Sequence, residues 1–244
     1  MSRRAEPILN LPTVIAGMIA VFGLVHVVRE LVLTPAGKLD FLLLFAFIPA
    51  RYGGLPAIEA ALPGGLPADL WTFVTYAFIH GDLTHLGVNV LWLLPFGSAV
   101  ARRFGTGRFL AFFAATAAAG AALHLVTHGP ELLPMIGASA AISGFMAAAI
   151  RFVFQVGGPL GVFRNTDSTA YLVPAAPLLD ALRDPRILAF LLVWFGLNIL
   201  FGIGSVGMLG VDQPVAWQAH IGGFLAGLLL FPLFDPVRFD GGMR

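Results

Sequence analysis

Long apolar stretches recur along the chain, and their length constrains the fold more than any other feature of the sequence. Each has close to the ~20 residues that one helical crossing of a bilayer requires. Only 11% of the residues are charged, whereas a soluble domain has about 25%, and the alternating pattern of a membrane barrel is missing. We therefore predict an all-α integral membrane protein, held in the lipid bilayer as a single domain over residues 1–244.

Six of these stretches are predicted to be transmembrane helices, at residues 11–33, 85–100, 108–126, 139–156, 186–203 and 217–234. The connection between the first two is long. Phe41 to Pro49 is apolar but short for a crossing, and Gly and Pro recur from Gly53 to Pro67. This pattern predicts an interfacial helix followed by a loop on or in the outer leaflet. A seventh crossing is the alternative, and it would reverse the orientation of everything after it.

The basic residues are distributed unequally between the two sides of the six-span topology. Eleven of the 14 fall on one side: Arg3, Arg4, Arg102, Arg103, Arg108, Arg151, Arg164, Arg183, Arg186, Arg238 and Arg244. By the positive-inside rule both termini are then cytoplasmic, which seven crossings would not satisfy. The segment 157–185 becomes a cytoplasmic connection with a polar centre, in which Pro174 and Pro177 preclude a regular helix. We expect a multi-pass protein of the bacterial plasma membrane.

Composition also limits the chemistry. The chain has no cysteine, which excludes disulfides, thiolate catalysis and Cys-ligated metals. It has no His-Glu-x-x-His zinc motif and no pair of aspartates inside the spans. His124 and His128 are four residues apart, but no acid or third ligand accompanies them. We predict no metal and no cofactor, and the net charge of +1 gives no indication of a nucleic-acid partner.

Five polar residues stand in or beside the apolar stretches: His80, His85, Asn89, Ser139 and His220. An unpaired polar group in hydrocarbon costs several kcal/mol, so ionisable residues within spans mark functional sites by default. His85 and Asn89 are four residues apart and share one helix face. His80 lies just before them.

The fourth and sixth stretches carry complementary patterns. Ser139 begins the fourth, where its backbone N–H is an unused donor in the positive end of the helix dipole and could stabilise an oxyanion. In the sixth, His220 shares one stripe with Gly223 and Gly227, a G-x-x-x-G contact face. If this face packs on the small residues of the fourth stretch, Ser139 and His220 meet as a serine activated by a histidine. Asp212 is too far along the chain to complete a triad, so a dyad is the simpler interpretation.

Together these segments resemble the rhomboid family of intramembrane serine proteases. The family pairs H-x-x-x-x-H-x-x-x-N at the second span with G-x-S-G at the fourth and A-H-x-x-G-x-x-x-G at the sixth. Here these segments run from His80 to Asn89, from Gly137 to Ala140 and from Ala219 to Gly227, and the resemblance covers essentially the whole chain. It implies a six-helix rhomboid-like bundle with a long membrane-associated first loop.

The resemblance also implies roles for individual residues. Ser139 would be the nucleophile and His220 the general base. His85 and Asn89, with the backbone N–H of Ser139, would form the oxyanion hole. Supporting positions would be His80, Gly137, Gly223 and Gly227. The substrates of the family are single-span membrane proteins, cut in or near the membrane.

The sequence departs from the family pattern at two places. Ala140 stands where the family has glycine, and a rival alignment over Ala141–Gly144 would make Ser143 the nucleophile. Trp71-Thr72 stands where the family often has Trp-Arg, so the contacts of that arginine must be absent or replaced. A catalytically inactive rhomboid-like protein that binds membrane-span clients is therefore a second hypothesis, and a six-span channel or transporter is a third.

Overall fold

The computed structural model describes residues 11–54, 56–161, 168–203 and 216–237. The described residues are mainly helical, and their one β-type pairing is an isolated bridge. The first span is α1 (Thr13–Val27), which a π-helical turn (Val28–Val32) extends to 20 residues of mean hydropathy 1.9. The predicted first span is confirmed.

The second and third spans form a helical run with one break, at Gly105. It comprises α5 (Leu83–Trp92), a π-helical turn (Leu93–Gly97) and α6 (Ser98–His128). The labels α2 (Pro35–Phe45), α3 (Pro56–Ala61) and α4 (Gly65–Thr75) belong to helices of the first loop. The π turn contains Pro95, which has no N–H to give to a regular helical ladder. At Gly105 the backbone leaves the helix with φ 74° and ψ 166°, a conformation open to glycine. The two predicted spans are thus present and join at a one-residue break.

The first loop is more helical than we predicted. The N-cap residue Thr34 accepts a hydrogen bond from Gly37 N–H and starts α2 (Pro35–Phe45), earlier than the helix expected from Phe41. A 3₁₀ turn (Pro49–Tyr52), α3 (Pro56–Ala61), α4 (Gly65–Thr75) and a 3₁₀ turn (Tyr76–Phe78) follow. The loop predicted from Gly53 to Pro67 is therefore wrong in part, because proline fits the first turn of a helix as well as it fits a loop.

A buried arginine ties this loop together. Arg51 is 4% exposed, and its guanidinium donates to the carbonyl oxygens of Leu43 (2.7 Å) and Pro63 (3.1 Å). Thr72, at the position where the family often has arginine, is buried and hydrogen bonds to Tyr52 Oη at 2.9 Å. Trp71 Nε1 donates to Leu44 O at 2.8 Å. Arg51 therefore supplies a buried cation to the first loop from a different position in the chain.

The fourth span is α7 (Ser139–Ala149), shorter than the predicted 139–156. After Ala149 the chain forms turns, because the Arg151 carbonyl accepts from Ala176 N–H and the Arg151 Nε donates to Ala176 O. Eleven residues rise only ~16 Å, about half of a bilayer core. A helix this short can serve as the fourth span because every residue of α7 after Ser139 is buried among other helices.

Three helices pack most closely on one another: α6, α7 and α10 (Trp217–Phe234). A Cβ on Gly223 would collide with the backbone of Ala140, and one on Gly227 would collide with Gly144, so α10 lies in direct backbone contact with α7. Stacked rings of Phe109 and Phe145, 4.6 Å apart, join α6 to α7.

The remaining span is α9 (Pro185–Ile203), which follows the one-turn helix α8 (Leu178–Ala181). The predicted fifth and sixth spans are both confirmed, and no helix passes through Pro174 and Pro177. In the described part of the chain, three helical stretches are long and apolar enough to cross a membrane, and Ser139–Ala149 and Pro185–Leu200 are shorter apolar helices. The longest of the three contains the second and third spans. The chain is a multi-pass, all-α membrane protein.

Buried Arg103 joins the end of α10 to the segment before α8. It donates two hydrogen bonds to the Asp235 carboxylate, at 2.9 and 2.8 Å, and two more to the carbonyls of Tyr171 and Val173. The polar centre of this connection (164–167), Asp212 and the basic residues near both termini lie outside the described residues.

Candidate active site

Ser139 is the first residue of α7, so its backbone N–H precedes the helical hydrogen-bond ladder. Ala138 is the N-cap and contributes no side-chain acceptor. Before it, Gly137 has φ 114° and donates its N–H to Tyr76 O at 3.0 Å. A Cβ on Gly137 would lie 2.6 Å from His85 Nε2, so both the backbone angle and the His85 ring require glycine here.

Ser139 meets His220 across the α7–α10 contact. His220 Nε2 lies 2.7 Å from Ser139 Oγ, although the two residues are 81 positions apart in the chain. The close approach of α10 depends on Gly223 and Gly227, whose missing side chains let its backbone touch Ala140 and Gly144. The arrangement places a hydroxyl in hydrogen-bond contact with a potential base.

His85 and Asn89 lie on α5, close to the start of α7. Asp82 caps this helix, accepting from His85 N–H at 2.8 Å. His85 Nδ1 accepts from Gly81 N–H at 3.3 Å, which leaves Nε2 as the protonated nitrogen of the neutral ring, directed at Gly137. Asn89 Nδ2 donates to His85 O at 2.9 Å and has a second N–H to offer. Both side chains can therefore present an N–H donor.

His80 is fully buried, with its ring centroid 5.1 Å from that of Phe22 and 5.3 Å from that of His85. Within the described residues neither ring nitrogen has a hydrogen-bond partner. Burial, helped by the neighbouring His85, lowers the pKa of His80 to about 3, so the ring is neutral at physiological pH. The structure places His80 behind His85 as a packed ring, where His26 Nδ1 contacts its carbonyl at 3.3 Å.

The rival nucleophile Ser143 is 3% exposed, and its hydroxyl donates to the carbonyl of Ser139 at 2.8 Å. Ala140, beside Ser139, is also buried. Its methyl group lies against Gly120 on α6. A Cβ on Gly120 would come within 2.6 Å of this methyl group. The extra methyl thus occupies space that Gly120 leaves open in the helix contact.

Asn198, on α9, was not among the residues that we singled out from the sequence. Its Oδ1 lies 2.5 Å from His220 Nδ1, and its Nδ2 donates to Trp194 O at 2.8 Å. The available signal was a single asparagine within an apolar stretch, the same kind of signal that identified Asn89. His124 and His128 stack on each other at 4.2 Å, and no group of three or more potential metal ligands occurs among the described residues.

Comparison of the sequence with known families and proteins agrees with this architecture. The family model for the Rhomboid domain matches residues 67–235. RHOMBOID-like protein 12, mitochondrial, from Arabidopsis thaliana is 31% identical over 186 residues, which cover 70% of this chain and 48% of that protein. Rhomboid protease GlpG from Salmonella choleraesuis is 25% identical over 165 residues, 68% of this chain and 49% of that protein.

Rhomboid protease GluP from Bacillus subtilis is 36% identical over 82 residues, which is 34% of this chain and 16% of that protein. The chain thus spans about half the length, or less, of these relatives. The match to the family model covers more than half of the chain, from the α4 helix of the first loop to the end of α10. The chain belongs to the rhomboid family.

Proposed function

We propose that the chain is an intramembrane serine endopeptidase that cleaves transmembrane-helix substrates with a Ser139–His220 dyad. The observation that carries the proposal is the 2.7 Å contact between Ser139 Oγ and His220 Nε2 inside a bundle of apolar helices. The relatives named rhomboid proteases support the same reaction class. Asn198 Oδ1, an amide oxygen and not a carboxylate, contacts His220 Nδ1, which favours a dyad over a triad with an acid.

In the proposed mechanism His220 Nε2 accepts the hydroxyl proton of Ser139 while Oγ attacks the scissile carbonyl carbon. The carbonyl oxygen becomes an oxyanion, for which Ser139 N–H, His85 Nε2–H and Asn89 Nδ2–H are the donors. One such donor contributes about 10²–10³-fold to the rate. His220 then gives its proton to the leaving amine as the C–N bond breaks. In deacylation His220 takes a proton from water, whose oxygen attacks the acyl carbon, and returns it to Ser139 Oγ as the acid product leaves.

The proposed substrates are single-span membrane proteins that reach Ser139 sideways from the bilayer. Several side chains of α9 are exposed and apolar, including Leu192 (76%) and Val193 (61%), which is expected of a surface that faces lipid.

The proposed location is the bacterial plasma membrane, with both termini cytoplasmic. Arg103 and Arg151, beside the segment that precedes α8, support this orientation. We propose further that residues 1–244 form one domain.

The test is cleavage of model single-span substrates in vesicles that contain the purified protein. We expect the wild type to cleave, and Ser139→Ala and His220→Ala to be inactive. Ser143→Ala is the matched control and should remain active, because among the described residues its hydroxyl bonds only to the Ser139 carbonyl. Activity that survives Ser139→Ala but not Ser143→Ala would assign the nucleophile to Ser143. Binding of these substrates without cleavage would favour the inactive client-binding protein.

A further inference from the structure

One polar side chain of the α9 helix reaches the proposed dyad from outside α7 and α10. Leu191, Trp194 and Asn198 are each less than 9% exposed and follow one another at helical spacing, so they form the buried face of α9. Neighbouring Leu197 and Ile199 are 39% and 52% exposed. A buried asparagine is unfavourable in an apolar helix unless its amide is satisfied, and both ends of this amide have partners.

The orientation of that amide follows from its two hydrogen bonds. Asn198 Nδ2 faces the Trp194 carbonyl at 2.8 Å, and a carbonyl can only accept. The flipped amide would place two oxygens against each other. Asn198 Oδ1 therefore faces His220 Nδ1, at 2.5 Å. Because Oδ1 is an acceptor, Nδ1 must carry the proton in this contact.

The position of that proton decides what His220 can do. A neutral imidazole has one N–H, so a proton on Nδ1 leaves a lone pair on Nε2, which lies 2.7 Å from Ser139 Oγ. In the other tautomer Nε2–H would face the serine and could not accept its proton. We propose that Asn198 is a positioning residue that holds His220 in the tautomer and ring orientation needed to deprotonate Ser139. This inference rests on the proposed protease function, with Asn198 acting through His220 rather than on the substrate.

Three variants separate this role from simple packing. Asn198→Leu keeps the branched shape of the side chain but removes the acceptor. Asn198→Asp keeps an acceptor oxygen for His220, and its other oxygen, when protonated, still donates to the Trp194 carbonyl. Leu191→Ala is the control, because it loosens the same buried face of α9 and leaves the amide in place. For each variant, kcat and KM are measured on one model single-span substrate in vesicles, together with thermal stability.

The tautomer itself is read from the ¹⁵N chemical shifts of the ring nitrogens in histidine-labelled protein, with His220 assigned by its loss in His220→Gln. We expect the wild-type ring to be protonated at Nδ1. Asn198→Leu should shift that proton to Nε2 and lower kcat by about 10²- to 10⁴-fold, the usual contribution of general acid–base catalysis, with KM nearly unchanged. Asn198→Asp should keep the Nδ1 proton and most of kcat. Leu191→Ala should lower thermal stability and leave the tautomer unchanged.

The proposal would be overturned by a wild-type His220 protonated at Nε2, by an Asn198→Leu variant with wild-type kcat, or by an Asn198→Asp variant no better than Asn198→Leu. An equal loss of kcat in Leu191→Ala and Asn198→Leu would do the same, since packing alone would then explain it. The NMR measurement needs no turnover. A wild type that cleaves nothing would contradict the proposed function, while the tautomer would still decide the role of Asn198.

Discussion

The imidazole of His85 lies directly against Gly137, so that a Cβ on Gly137 would come within 2.6 Å of His85 Nε2. This contact joins the start of α5 to the residue that leads into Ser139. It also fixes where the His85 N–H points. The backbone of Gly137, with φ 114°, is accessible to glycine and strained for any other residue.

Gly137→Ala should therefore reduce cleavage strongly, because the methyl group would displace His85 from the proposed oxyanion hole, and one lost donor costs about 10²–10³-fold in rate. Gly129→Ala is the matched control. It also has a positive φ, 48°, but no atom lies near its Cβ position. Initial rates on one substrate compare the two variants, and equal losses would show that backbone strain, rather than contact with His85, is responsible.

Gly223→Ala should separate α10 from α7 and lengthen the contact between Ser139 and His220, since its Cβ would collide with the Ala140 backbone. Misplacing a catalytic group by ~1 Å can cost about 10²-fold in rate. Gly196→Ala, inside α9 where the Cβ position is open, should stay active and gain up to about 1 kcal/mol of stability. Wild-type cleavage rates in Gly223→Ala would mean that the dyad does not depend on this helix contact.

Arg103 and Asp235 form a buried ion pair, with side chains 0% and 8% exposed. Arg103→Ala would leave the Asp235 carboxylate buried and unpaired, so unfolding in detergent should become easier by about 3–5 kcal/mol. Arg183→Ala removes the exposed pair with Asp180, whose side chains are 69% and 63% exposed. Its effect should stay below about 1 kcal/mol. Similar unfolding midpoints for the two variants would contradict the structural importance of Arg103.

Ala140→Gly tests the departure from the family pattern beside the proposed nucleophile. Because the Ala140 methyl group lies against Gly120, its removal should leave the cleavage rate near that of the wild type. Stability should fall by roughly 0.5–1 kcal/mol, the usual cost of glycine in a helix. A rate about tenfold higher than wild type would show that the methyl group crowds the oxyanion site after all.

The spans were predictable from sequence because hydropathy and length are local properties of the chain. The start of α7 at Ser139 and the bounds of α10 were predicted, but the end of α7 was not, since it depends on the pairing of Arg151 with Ala176. In the first loop a helix near Phe41 was predicted, but α3 and α4 were missed because proline signals a helix start and a loop alike. These errors concern tertiary partners and turns, not the order of the elements.

In the candidate site, too, the local features could be predicted from sequence and the tertiary contacts could not. His85, Asn89, Ser139 and His220 could be singled out because a polar group in an apolar span is conspicuous, and helical spacing places two of them on one face. Asn198 gave an equally clear local signal, yet its partner lies 22 residues away on another helix. Its relation to His220 depends on how α9 packs against α10, which the sequence pattern alone does not specify.

The central claim is that Ser139 is a nucleophile activated by His220. The most direct test is to treat the purified protein with a fluorophosphonate in detergent, digest it and locate the phosphonylated residue by mass spectrometry. We predict one adduct, on Ser139 Oγ, that is absent from His220→Ala and still forms in Ser143→Ala. An adduct on Ser143, or no adduct in wild-type protein that still cleaves a model substrate, would contradict the account.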